Sequence, residues 1–320
     1  MPEPQAPSKP PRRRPRRFWL FAPYIAVAVL ALAGAAGWFV ARVELGRRLD
    51  REVRTLRAEG VQVSWTRRRV TGFPFRLDLT LDAPRIADRT GWALAAPQVE
   101  GEAFAYDPSH WIFAAPSGVT LTRPGRGALD VTGQAIRISV SGLGSPAPRF
   151  SFQGLKLTFS PEPGAAPASL GAADLLEAHL QPGPDDQAAL LIRLDGGRPP
   201  LSVATSGPDQ TLALVWDSRL SHMSALSGAD WPSAVKHWSA GGGVMSLATA
   251  QLTLGGLQLS AKPATLTVGD DGRLQGAVPL AFSQGRAART LFGSAPLTLT
   301  FQGGATRLGP LPLGPAFRVF

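Results

Sequence analysis

The chain has 320 residues, 44% of them apolar and 18% charged, with 35 Gly and 30 Pro; that is enough apolar material for a core, and it excludes wholesale disorder. Zero Cys excludes disulfide scaffolds, cysteine-ligated zinc and thiol catalysis. The formal charge of +10 lies at the N-terminal end, where residues 1–76 hold sixteen Lys/Arg against five acids, net +11, leaving −1 for residues 77–320; a nucleic-acid module carries its cations on the folded body, so no such partner is expected.

Residues 1–17 form a basic, Pro-rich tail containing the run RRRPRR. Residues 18–40, FWLFAPYIAVAVLALAGAAGWFV, are 23 positions without a charge. At 1.5 Å per residue they reach about 34 Å, enough to cross a hydrocarbon core of about 30 Å. Phe18, Trp19 and Tyr24 stand near one end and Trp38 and Phe39 near the other, as interfacial aromatics do. A cleaved signal peptide with Ala31-Leu32-Ala33 as its processing site is the alternative. The apolar run continues past that site to Val40, which favours a retained anchor. The tail is expected in the cytoplasm and the bulk of the chain in the periplasm, with residues 18–40 in the inner membrane.

Residues 41–59 read as a juxtamembrane helix with Leu45, Leu49, Val53 and Leu56 on one face. Glu44–Arg48 and Asp50–Arg54 are helical i,i+4 pairs, and Gly60 is placed to end the helix. The simplest reading is a solvated helix that carries the span outward to the domain.

Beyond Gly60 the apolar period changes from 3.6 to 2. Val61, Val63 and Trp65 alternate, as do Phe75, Leu77, Leu79 and Leu81, then Ile136, Ile138 and Val140, then Leu212, Leu214 and Trp216, and finally Leu297, Leu299 and Phe301. Asp270-Asp271-Gly272 marks a hairpin. Arg67-Arg68-Arg69 suits a sheet edge, where cations deter pairing with another chain. In two places the apolar face changes parity across glycine, at Gly154 and at Gly255-Gly256, which predicts a bulge or tight bend and hints at two similar curved units. The expected architecture is therefore mainly β: one N-terminal transmembrane helix, then curved antiparallel sheets with one or two short helices. The units are placed at 60–160 and 187–320, joined by a connection at 161–186 with a short helix over Ser169–Leu180. Residues 218–239 are the second helical candidate, broken at Trp231-Pro232, and the tail from Leu308 to Phe320 reads as extended.

Catalytic constellations are weak. His110, His179, His222 and His237 lack metal-ligand spacing, and Asp185-Asp186 and Asp270-Asp271 read as turn residues. No nucleophile elbow, phosphate loop or dinucleotide fingerprint is present in the sequence. No enzymatic activity, metal or cofactor is expected. An envelope hydrolase built on His110 with Asp107 is the weaker alternative.

Three motifs occur in order: Val70-Thr71-Gly72-Phe73-Pro74-Phe75-Arg76, then Gly91-Trp92-Ala93-Leu94 with Ala96-Pro97-Gln98-Val99-Glu100, then Tyr106-x-Pro108-x-His110-x-Ile112. With the preceding anchor they resemble the uncharacterised, mostly alphaproteobacterial envelope family known as domain of unknown function 2125. The layout is more distantly similar to AsmA-like envelope proteins, a resemblance that implies envelope biogenesis or lipid movement. The family supplies no activity to carry over. Gly72, Phe73, Pro74, Phe75, Tyr106, Pro108 and His110 are the structural motif candidates. On their chemistry Gly72 allows a turn, Pro74 ends ladder pairing, and Phe73 and Phe75 are expected to pack at the start of a strand. The expected partners are the inner membrane and either a lipid or an envelope protein, the latter through an exposed apolar patch.

Overall fold

The computed structural model describes residues 18–143, 148–198, 211–228, 230–255, 257–284 and 297–320. The basic tail at 1–17 lies outside them. The first element is α1 (Phe18–Ala58), one helix continuous from the apolar segment through the juxtamembrane region. Its apolar part is long enough to cross a membrane, and few of its residues are covered. Gly60, with φ 88°, closes it as its position predicts.

Among the described residues the body is one antiparallel sheet of 21 strands. The first ten are β1 (Gln62–Ser64), β2 (Arg67–Thr71), β3 (Arg76–Asp82), β4 (Arg85–Ala87), β5 (Ala93–Ala95), β6 (Gln98–Phe104), β7 (Asp107–Ala114), β8 (Val119–Arg123), β9 (Gly127–Thr132) and β10 (Ala135–Ser141). They are five long strands, each broken once. The pair β1–β2 lies along β4–β3, which lies along β5–β6, then β8–β7, then β9–β10. Proline or glycine sits in four of the five breaks, because proline cannot donate to a ladder and glycine has no side chain to pack in one; the break between β1 and β2 is Trp65-Thr66. Those in the other four are Pro84, Pro97, Pro116 and Gly133. The breaks also bond to one another: Ala83 N–H donates to Pro97 O at 2.8 Å, and Ala96 N–H to Pro84 O at 3.1 Å. Aligned side by side, they crease the sheet.

Four long strands continue the meander: β11 (Arg149–Pro161), β12 (Ala172–Pro182), β13 (Ala188–Gly197) and β14 (Leu212–Leu220). Strand β11 pairs with both β10 and β9 along one edge, so it spans the crease. Two expectations are corrected here. Residues 172–182 form a strand paired on both sides, not a helix in a connection. The local Leu175, Leu176, Leu180 spacing fits a helix, but two flanking ladders offer every backbone group a partner. Strand β12 therefore joins the two β units into one continuous ladder. The parity switch in β11 is real, but the residue with positive φ is Lys156 (49°), not Gly154. Gly154 instead makes room, since a Cβ there would meet Leu157 Cδ1 at 2.6 Å.

After β14 comes a 3-10 turn (Met223–Ala225) and α2 (Trp231–Ala240). Pro232 opens this helix rather than breaking it, and Asp230 caps it by accepting from Ser233 N at 2.8 Å. The remaining strands are β15 (Met245–Leu254), β16 (Leu257–Ala261), β17 (Ala264–Val268), β18 (Leu274–Gln284), β19 (Leu297–Gln302), β20 (Ala305–Leu308) and β21 (Leu311–Pro315). Leu254 pairs with Leu257, so the second parity switch is a hairpin turn between two strands. It is a tight bend of a different kind from the kink within β11, and the two do not mark repeated units. The hairpin expected at Asp270-Asp271-Gly272 joins β17 to β18.

Both sheet edges are shielded. Helix α1 runs along the β1–β2 edge, where Arg68 Nη1 bonds Asp50 Oδ1 at 2.8 Å and Arg57 Nη2 bonds Val63 O at 2.7 Å. Strand β21 carries Pro312 and Pro315. Four buried clusters hold the sheet: one at the crease around Leu157, Ala173 and Leu194, one under α1 around Trp38, Leu77 and Trp111, and two toward the C-terminus around Leu266 and Val235.

Candidate functional site

In a strand successive side chains face opposite sides, so register decides what each face of a sheet carries. Here one register row can be followed across the molecule. Val70 faces Leu79, which faces Gly101, then Phe113, Ile138 and Phe152. The row goes on through Ala178, Ile192, Trp216, Ala250, Ala261, Leu280 and Leu297. No position in it is polar. A parallel row runs Ile136, Gly154, Leu176, Leu194, Leu214, Leu252, Leu259, Phe282. The opposite face is polar: Arg137 faces Gln153, which faces Glu177, which faces Arg193.

The apolar face is covered at both ends and open in the middle. At one end Leu79 is 3% exposed under α1, and at the other Leu297 is 6% exposed. Between them Ile138 is 40% and Phe150 42% exposed, while Phe152, Ile192 and Trp216 are half-buried. An antiparallel sheet whose apolar face has no covering layer leaves its largest favourable term incomplete.

Under α1 the floor opens into a cavity of about 590 Å³ lined by Leu45, Leu49, Leu77, Trp111, Phe113 and Leu143, a size typical of small-molecule sites. The helix face predicted from Leu45 and Leu49 thus forms a roof over the sheet and is not a solvated stalk. At the rim Glu44 accepts from Arg48 Nε and Arg51 Nη2, both at 3.0 Å, and these bonds hold its carboxyl below the usual range. On the other flank of α1, Arg42, Arg47, Arg68 and Arg69 line a basic cleft with Asp50.

The motif residues divide into two groups. Gly72 has φ 96°, and Arg76 N–H donates back to Gly72 O at 2.9 Å, so it makes the expected turn. Phe73 and Phe75 do not pack as a strand start does: they are 55% and 71% exposed. The β2–β3 turn carries them beyond the sheet's end, where Trp38 and Phe39 of α1 come near Phe73, at 5.4 and 6.2 Å between ring centroids. Tyr106 is 75% exposed and stacks on Phe104 at 5.0 Å. Pro108 lines the cavity, and its carbonyl accepts from Trp111 Nε1 at 3.1 Å. His110 faces the polar side, where its Nε2 bonds Ser139 Oγ at 3.1 Å. Asp107 is turned to Ser109, whose hydroxyl donates to it at 2.6 Å, so His110 and Asp107 do not form an acid–base pair. Among the described residues no three metal-ligating side chains come together.

Sequence reasoning missed the apolar rows, because each strand contributes only one or two members and the register is invisible in one dimension. The crease left a signal that could have been read: Ala-Pro recurs at 83–84, 96–97 and 115–116, spaced like successive strands.

A family model described as an uncharacterised protein conserved in bacteria, DUF2125, matches residues 38–295. No curated protein and no solved structure matches the chain.

Proposed function

The chain belongs to the DUF2125 family of uncharacterised bacterial proteins, and from that premise we propose a membrane-anchored, non-enzymatic protein that cradles the acyl chain of a lipid on its sheet. The anchor is residues 18–40, retained in the inner membrane, with the sheet on the periplasmic side. The observation that carries this reading is the unbroken apolar register row from Val70 to Leu297, open at Ile138, beside the exposed Phe150 of a neighbouring row, and continuous with the cavity under α1. An open row without polar positions suits a hydrocarbon chain, whose burial gains about 0.8 kcal/mol per methylene. The polar atoms at the α1 rim, Arg48 and Arg51 with Glu44 and Glu52, are placed to meet a headgroup. Retention of the anchor is supported by the apolar run, which continues past Ala33 to Val40, and Trp38, 5% exposed, ties the end of that run to the body.

The test is photocrosslinking of the full chain in vesicles containing a phospholipid with a diazirine in its acyl chain. Crosslinks are expected on peptides bearing Ile138, Phe152 and Ile192. Ile138→Glu and Ile192→Glu place a charge on the floor and should lower that yield about tenfold, with the fold kept because both sites are partly open. Crosslinks confined to residues 18–40 would overturn the reading.

A further inference from the structure

Four aromatic side chains stand exposed on two neighbouring turns at one end of the sheet, where nothing in the fold requires them. Phe73 and Phe75 lie in the β2–β3 turn, and Phe104 and Tyr106 flank the β6–β7 turn; they are 55%, 71%, 52% and 75% exposed. The turns adjoin, since Arg76 pairs with Phe104 and Ala105 N–H donates to Phe75 O at 2.8 Å. Soluble surfaces rarely gather large apolar side chains in this way.

Their height relative to α1 is fixed. Trp38 Nε1 donates to Arg76 O at 2.6 Å, and its ring is buried among Leu77, Leu79, Ala103 and Trp111. The helix is therefore clamped to the sheet at the level where the uncharged segment ends, at Val40. Phe73 touches Trp38 and Phe39 at that same level. One turn further along α1, the Arg42 guanidinium sits 5.7 Å over the Trp38 ring, a cation at the headgroup level. At the far end of the same strands the turns carry Asp88, Arg89 and Arg126, with Trp92 as their aromatic.

Resting on the membrane span of the proposed function, we infer that Phe73, Phe75, Phe104 and Tyr106 are a bilayer-seating surface, inserted at the acyl–headgroup boundary of the leaflet from which α1 emerges. Continuity with the span commits this surface to lipid rather than to a protein: a helix locked to the body at Trp38 leaves the neighbouring turns no other position. Phenyl and phenol rings are the groups that favour this boundary, apolar over most of their area and tolerant of nearby water. The seating has a consequence for the cavity. Pro108 follows the β6–β7 turn directly, and Leu143, 44% exposed, is tied to it through a 3.2 Å bond to Ser109 O. One wall of the cavity thus lies at the seated end, where an acyl chain would enter it without crossing water.

The chain has no Cys, so single-cysteine nitroxide labels report depth without background. The full chain is reconstituted into vesicles of phosphatidylethanolamine and phosphatidylglycerol carrying one of Phe75→Cys, Tyr106→Cys, Arg126→Cys or Val40→Cys. Relaxation by oxygen is then compared with relaxation by a water-soluble nickel chelate. At 75 and 106 oxygen should dominate, as at 40, with the ratio inverted at 126. An aqueous ratio at 75 and 106 with a lipid ratio at 40 would overturn the seating surface and leave the span standing. An aqueous ratio at 40 would sink the span, and the inference with it. Positions 75 and 106 are open in the fold, so the labels do not disturb packing. If the chain instead cradles no lipid, crosslinking at Ile138 fails while these depths are unchanged.

Discussion

Trp38 is where helix and sheet are fastened. Its indole is 5% exposed and donates to a backbone carbonyl, so Trp38→Phe keeps most of the packing and loses the hydrogen bond. That substitution should cost about 1 kcal/mol, and Trp38→Ala about 3–5 kcal/mol, both read from denaturant unfolding of the full chain in micelles. Gly72 is constrained by its backbone: at φ 96° a Cβ would approach Arg76 O to 2.7 Å. Gly72→Ala should cost about 1–3 kcal/mol and disturb the turn that presents Phe73 and Phe75; loss of the Val40-like depth at position 75 in that background would show it. Leu157, 1% exposed at the crease, should cost about 2–5 kcal/mol as Leu157→Ala. The packing role of Leu157 was implicit in the alternation of its strand. The exposure of Phe75 was not, because Phe75, Leu77 and Leu79 share one parity and only the turn at Gly72 separates the first from the others.

Among elements, α1 and β2 are joined by a bond that is sensitive to acid. The hydrogen bond from Arg68 holds the Asp50 carboxyl below its ordinary range, and that from Lys156, with Arg198 nearby, does the same for Asp174 beside the β11 kink. A depressed carboxyl pKa stabilises the fold above the unfolded value, near 3.9, and the stabilisation is lost as pH falls through the folded value. The helix–sheet contact should therefore loosen as pH falls below about 4. Urea midpoints in that window should fall less for Asp50→Asn than for the parent chain, relative to each one's value at neutral pH. At α2, Asp230→Ala removes a cap whose carboxyl is held low by the Ser233 hydroxyl and amide, and should cost about 0.5–2 kcal/mol. The start of α2 was legible as chemistry, an acid followed by Trp-Pro, yet Pro232 reads as a break unless the helix is known to begin there. Strand β12 was misread for a related reason: short apolar segments fit both periods, and the neighbours on each side decided between them.

At the scale of the whole molecule the governing fact is an antiparallel meander with an apolar row running across one face and, among the described residues, no second layer over its middle. A two-sheet sandwich would bury that face against itself. Here the crease folds the sheet only far enough to close a core around Leu157, Ala173 and Leu194, and α1 covers the first strands alone. Apolar helix, cavity and open floor then follow one another in space. Ile138→Glu and Ile192→Glu should separate stability from lipid contact, because charges on the open floor stay hydrated in the absence of lipid and repel an acyl chain when one is present.

The sequence by itself determined the partition into a charge-free helical segment and a near-neutral β body, the alternation of most strands and the hairpin at Gly272, since these depend on neighbours a few residues apart. It also carried the motifs of the family. Only the tertiary structure decided which alternating faces align into one row, that the crease aligns five strand breaks, and that Phe73, Phe75, Phe104 and Tyr106 meet beside Trp38. Those outcomes rest on register and on contacts between residues far apart in the chain, and a side chain's partner across a ladder is set by the pairing of whole strands, not by its own neighbours.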